Sequence, residues 1–149
     1  MIITLCEKDL EKWDLRFYNL AKEISTWSKD PSTQVGAVIA NRKNRLVSVG
    51  YNGFPAGVKD DIHNREMKIL RTIHAEANAI NFAKQELDDC VLYSTMMPCA
   101  HCAASIIQNG IKRVVCGNTS IDYLSRWADH CEEAESMFNE ASVSLILVV

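Results

Sequence analysis

The chain has 149 residues, 48% of them apolar and 23% charged, with a net charge of −3. A chain of that length buries enough apolar surface for one core, and it has neither the low hydrophobicity nor the high charge of a disordered segment. No apolar run approaches the roughly 20 residues that span a bilayer, and the acidic balance argues against a long nucleic acid as partner while leaving room for a small phosphorylated ligand.

The opening, Met1 to Asp9, is a short apolar patch followed by charges. It lacks the basic start and long apolar run of a secretory signal, so a cytoplasmic location is expected. The six cysteines, Cys6, Cys90, Cys99, Cys102, Cys116 and Cys131, are therefore expected as thiols or metal ligands rather than disulfides. Leu10, Trp13, Phe17, Leu20, Ala21, Ile24 and Trp27 recur at steps of three and four, which predicts a helix with one buried stripe. That helix should end near Ser28, because Asp30 precedes Pro31 and is pushed away from helical backbone. The stripe of Trp13, Phe17 and Trp27 reads as core, not as a base-stacking platform.

Val35 to Ala40 and Leu46 to Gly50 are short and β-prone, and the polar run Asn41 to Arg45 between them predicts an antiparallel hairpin. Tyr51 to Gly57 is a loop by its Gly and Pro content, and Lys59 to Arg71 reads as loop with some helix. The pattern then alternates: helix from His74 to Lys84, strand from Cys90 to Ser94, helix from Cys99 to Asn109 ended by Gly110, strand from Lys112 to Cys116. A helix over Asp122 to Glu140 would place Trp127, Cys131, Ala134 and Phe138 on one face, and Ser142 to Val149 is a last strand. No stretch is rich in Pro, Gly or Ser and no segment repeats, so residues 1–149 are expected to be one domain. The order α-β-β-α-β-α-β-α-β predicts a three-layer α-β-α sandwich around a mixed five-stranded sheet.

Two short stretches carry chemistry: His74-Ala75-Glu76 and Pro98-Cys99-Ala100-His101-Cys102. Catalytic zinc takes three protein ligands and leaves a fourth position for water, and His74, Cys99 and Cys102 supply three. Cys99 and Cys102 are three apart, so on the first turn of a helix they share a face, and Pro98 suits a helix start. The partial positive charge of a helix N-terminus favours thiolate over thiol. His74 also opens a helix, so the metal is expected between two helix N-termini. Glu76 need not bind the same metal, yet it can reach a water there, take its proton, and pass protons to a ring nitrogen and a leaving amine. A structural zinc site would need a fourth protein ligand, which Cys90, Cys116, Cys131 or His101 could supply in principle. A redox C-x-x-C would not call for His-x-Glu at an earlier helix start. His101 should point away from the cysteines, at the surface or a subunit contact, and Cys6, Cys90, Cys116 and Cys131 read as buried small hydrophobes.

These two stretches match the H-x-E…P-C-x-x-C signature of zinc nucleobase deaminases, and the wider sequence resembles deoxycytidylate (dCMP) deaminases of the cytidine deaminase superfamily. The likeness includes Ser28 to Ala37 before the first strand, the loop Gly50-Tyr51-Asn52-Gly53-Phe54-Pro55, the helix start His74 to Ile80, and Ile106 to Lys112; in all it covers about residues 13–117. The resemblance implies a cytidine deaminase-like fold and hydrolysis of dCMP to dUMP and ammonia, feeding thymidylate synthesis. It implies one catalytic Zn2+ per subunit, with His74, Cys99 and Cys102 as ligands and Glu76 as proton shuttle. It further implies a homohexamer, activation by dCTP and inhibition by dTTP, with Mg2+ accompanying the effector. Tyr51, Asn52, Gly53, Ala75 and Pro98 become candidates for substrate or effector contact. Val58 to Ile73 is short for the family, which argues against a second, structural zinc and against carrying over effector control. Lys29, Arg65, Arg71 and Arg126 are candidate phosphate partners, each equally readable as a surface charge. Other readings are a deaminase of dCTP, modified dCMP, cytidine or guanine, or a silent zinc- or nucleotide-binding module. Glu76 favours an enzyme, since a silent homologue has no chemical need of that carboxylate.

Overall fold

The computed structural model describes residues 1–60, 64–117 and 121–149, with side chains from Trp127 onward in the last segment. Its elements are β1 (Ile2–Leu5), a 3-10 turn (Glu7–Asp9), α1 (Lys12–Ser25), β2 (Gly36–Ala40), β3 (Leu46–Tyr51), α2 (Arg65–Arg71), α3 (Ala75–Ala83), β4 (Val91–Ser94), α4 (Ala100–Gln108), β5 (Arg113–Gly117), α5 (Ile121–Glu140) and β6 (Ser144–Val148). They build one sheet in the order β1-β6-β5-β4-β2-β3. β2 pairs antiparallel with β3 and β4, whereas β4-β5, β5-β6 and β6-β1 are parallel.

Strand alternation sorts the core into two layers. Ala37 and Ile39, Leu92, Val114 and Cys116, and Leu145 face α3, α4 and α5, and their neighbours Val38 and Ala40, Tyr93, Val115, and Ile146 and Val148 face α1. The three-layer α-β-α sandwich is thus produced by the period of two in four successive strands. On the α1 side, Asp14 is only 3% exposed and is held by the Tyr93 hydroxyl at 2.7 Å and the Arg113 guanidinium, also at 2.7 Å.

The sheet has six strands rather than the five expected. The extra one is β1, whose Ile2 to Leu5 pair with Leu145 to Val148; a four-residue edge strand offers too few residues to show a period. Trp27 is 55% exposed, not core, because α1 stops at Ser25 and the residue falls two positions past the helix. Cys6 is exposed rather than buried, whereas Cys90, Cys116 and Cys131 are buried as expected. Within Lys59 to Arg71, α2 forms over Arg65–Arg71, capped by Asn64 Oδ1 accepting from the Met67 N–H at 2.8 Å, while residues 61–63 lie outside the described part. Trp127 also leaves the face expected for it. Its φ of −125° and ψ of 17° break the helical path of α5, so Cys131, Ala134 and Phe138 enter the core and Trp127 does not.

Candidate active site

Close packing of α3 on the sheet places the first half of the site. Gly50 on β3 lies so near that a Cβ there would come 2.4 Å from Ala79 N and 2.5 Å from Ala75 O. Ser48 Oγ donates to Ala79 O at 2.7 Å across the same contact. Only the small residues Gly50, Ala75 and Ala79 let the helix sit at this distance. His74 is the N-cap of α3 and Glu76 lies in its first turn. The second half follows β4, where a short loop leads to Cys99, the N-cap of α4, and Cys102 in its first turn. Both helices therefore start at the carboxyl ends of strands, where open α/β sheets place their ligands.

His74 Nδ1 lies 3.4 Å from Cys99 Sγ and 3.5 Å from Cys102 Sγ. A tetrahedral zinc, with bonds of about 2.3 Å to sulfur and 2.0–2.1 Å to nitrogen, holds such atoms about 3.5 Å apart. The donor set and its spacing fit the ion. Among the described residues, no further His, Cys, Asp or Glu joins the three. Cys116 instead contacts Met97 at 3.7 Å, and His101 is exposed beside His130. The fourth ligand that a closed structural site needs is thus not supplied by the described side chains. Cys99 is held well below the usual thiol range, first by its hydrogen bond from Cys102 and then by His74, against the opposing effect of burial. Cys102 is pushed up by the same shared proton and by burial. Binding of a metal releases that proton and makes both sulfurs anionic.

Glu76 is 4% exposed and stands apart from the three donors. Burial raises its carboxyl above the ordinary carboxylate value; the Cys99 thiolate adds to this, and the His74 ring opposes it. The Ser94 hydroxyl donates to its Oε1 at 3.5 Å.

A cavity of about 480 Å³ opens over these groups, within the roughly 300–1,000 Å³ usual for small ligands. His74, Ala75, Glu76 and Asn52 line it. Asn52 is buried, with its amide engaged: Oδ1 accepts from the Val35 N–H and Nδ2 donates to Thr33 O, both at 2.9 Å. Tyr51, Gly53 and Pro98 lie outside the lining. Tyr51 is exposed, Gly53 pairs with Ile73 through two backbone hydrogen bonds, and Pro98 is buried beneath the α4 start.

Of the candidate phosphate partners, Arg65 lines the cavity, Lys29 is exposed beside Asp60, Arg71 is outside the lining, and the Arg126 side chain is outside the described part. Sequence reasoning missed Lys68, which also lines the cavity and contacts Asp30 Oδ1 and Ser32 Oγ, each at 2.8 Å. Arg65 and Lys68 are three apart, so a helical reading of that stretch would have put both on one face. Trp127 also lines the cavity, a role its place in the sequence did not show.

Residues 11–118 match the family model for the cytidine and deoxycytidylate deaminase zinc-binding region. A protein of Aliivibrio fischeri named "Uncharacterized deaminase in luxG 3'region" is 50% identical over 138 residues, spanning 91% of this chain and 93% of that relative. Human deoxycytidylate deaminase is 37% identical over 150 residues, spanning 93% of this chain and 82% of the human protein. The crystal structure of the dCMP deaminase of cyanophage S-TIM5 in complex with dCMP and dUMP shares the fold, with a TM-score of 0.74 at 23% identity over 89% of this chain and 94% of that one.

Proposed function

Because this chain belongs to the zinc-binding cytidine and deoxycytidylate deaminases, we propose that it hydrolyses dCMP to dUMP and ammonia, with residues 1–149 acting as one deaminase unit. One observation carries the reading: an imidazole and two sulfurs converge beside a buried carboxyl in a cavity that also holds two cations. His74 Nδ1, Cys99 Sγ and Cys102 Sγ are the zinc ligands. When bound, zinc supplies Lewis-acid activation of water near neutral pH.

Glu76 handles the protons. Its carboxylate takes one from the attacking water and delivers it to N3 of the cytosine ring as the new C–O bond forms at C4. It then carries a second proton to the 4-amino group, the C–N bond breaks, and ammonia leaves with a carbonyl at C4. Water and dCMP thus balance dUMP and ammonia. A carboxyl raised by burial holds a proton between these steps more readily than an exposed one. The Ser94 hydroxyl orients Oε1. Ala75 and Asn52 line the cavity as substrate contacts, and Tyr51, Gly53 and Pro98 act indirectly by shaping the loop and the α4 start. Arg65 and Lys68 are the cations for the 5′-phosphate, since a monoanionic or dianionic group needs local positive charge that the chain as a whole lacks.

By family resemblance the reading extends to a homohexamer in the cytoplasm, with dCTP and dTTP as effectors and Mg2+ alongside them. The deciding experiment is ammonia release by zinc-loaded protein with dCMP, dCTP, deoxycytidine, cytosine and guanine side by side, with dCTP and dTTP as effector arms and sedimentation for assembly. Preference for dCMP is expected. Turnover of another compound alone moves the substrate, and silence on all five overturns the enzyme reading.

A further inference from the structure

The zinc signature gives no role to Trp127, yet its half-buried side chain lines the cavity with His74 and Glu76. Apart from His74, it is the only aromatic ring among the described lining residues. The break in α5 falls at this residue. A helix leaves its path at an identifiable cause, and here the departure coincides with a side chain that faces the cavity instead of the core. The indole meets two other rings. It lies 6.4 Å from the His74 ring at 88° and 5.0 Å from the His130 ring at 71°, both edge-on geometries that aromatic pairs favour. His130 Nδ1 in turn accepts from the Ala100 N–H at 3.3 Å, and Ala100 lies between Cys99 and Cys102. The start of α4 thus braces His130, His130 braces Trp127, and Trp127 packs against the ligand supplied by α3. A flat apolar surface is held at a set angle beside the reacting end of the cavity.

We propose that Trp127 is the wall against which the pyrimidine base of the substrate packs. This rests on the dCMP reading above. A base presents a flat π face, and its contact with an aromatic side chain is worth roughly a 5- to 150-fold change in affinity. The contact exists before and during the reaction to the same degree, so it acts on KM rather than kcat. Loss of the indole is expected to raise KM for dCMP about tenfold or more with kcat within a few-fold. Trp127→Phe, which keeps a flat ring, should recover most of the loss.

The test combines kinetics, zinc content and fluorescence. Wild type, Trp127→Ala and Trp127→Phe are assayed for ammonia release from dCMP and for bound zinc. Tryptophan emission is then followed as dCMP is added to Glu76→Gln, with and without Trp127→Phe. The other two tryptophans lie off the cavity lining, Trp13 on α1 and Trp27 in the open, so a change on dCMP addition should vanish with Trp127. Raised KM, retained zinc and a signal lost with the indole support the proposal. If wild type turns over dCMP but KM is unmoved, or only kcat and zinc content fall, Trp127 merely steadies His74; the proposal is then overturned and the substrate reading stands. If wild type does not act on dCMP, the substrate reading fails and takes the proposal with it. Should Trp127→Ala fail to fold, the Trp127→Phe kinetics and the emission change decide.

Discussion

Replacing Glu76 with glutamine removes the proton carrier while leaving its volume and its acceptor oxygen in place. The side chain is 4% exposed, so a change of shape would disturb packing, and glutamine avoids this. Its amide oxygen can still accept from the Ser94 hydroxyl, which meets Oε1 at 3.5 Å. What is lost is proton transfer, which contributes roughly 10²–10⁴ in rate, or about 2.7–5.5 kcal/mol of barrier at 1.36 kcal/mol per tenfold. His74, Cys99 and Cys102 form a separate cluster, so zinc should stay at its wild-type level. Stability should not fall either. In the metal-stripped protein, burial raises the Glu76 carboxyl above its ordinary value. A group raised in this way supports the fold below its unfolded pKa, and that support is withdrawn as pH rises through the folded value. Glutamine removes the dependence, so metal-stripped Glu76→Gln should be at least as stable as wild type at pH 7. The assays are ammonia release, metal analysis and urea unfolding of both forms. Turnover within tenfold of wild type, with zinc retained, would refute the assignment of Glu76.

Cys102→Ala should drop zinc to a small fraction of wild type on metal analysis and abolish turnover; full zinc retention would show that the ligand set is wrong. Gly50→Ala drives a Cβ to 2.4 Å from Ala79 N, so α3 must shift and carry His74 and Glu76 with it. Overpacking of this kind costs about 1–3 kcal/mol, and the variant should lose both melting temperature and activity. For Asp30, burial alone would raise the carboxyl, but Lys68 and the Thr33 and Ser32 N–H groups outweigh it and hold the carboxyl below its ordinary value. A carboxyl lowered in the fold contributes stability above its unfolded pKa and loses it as pH falls through the folded one. Asp30→Asn should therefore lower stability by roughly 1 kcal/mol at pH 7 and flatten the acid side of the urea-unfolding profile below about pH 4. An unchanged profile would show that the Asp30–Lys68 pair adds nothing to the fold.

The sequence by itself determined the elements whose signal is local. A period of two in β2, β4, β5 and β6 sorts side chains onto two faces without reference to anything distant. The starts of α3 and α4 are marked by His74-Ala75-Glu76 and by Pro98-Cys99-Ala100-His101-Cys102, because ligand spacing on a first helical turn is a property of a few neighbouring residues. Those same residues placed the zinc-type donors and the buried acid in the sequence before any tertiary contact was known. Tertiary structure decided the rest. β1 exists because β6 offers it an edge, not because four residues specify a strand. The depth at which α3 sits depends on Gly50 meeting Ala75 and Ala79 across more than twenty residues of chain. Lys68 reaches the cavity only because α2 folds back over the loop that carries Asp30 and Ser32. Trp127 reads from its spacing as one more core residue, and a local break in α5 turns it toward His74. Periodicity reports which face of an element is apolar, but it does not report where an element bends or which distant residue its exposed end will meet.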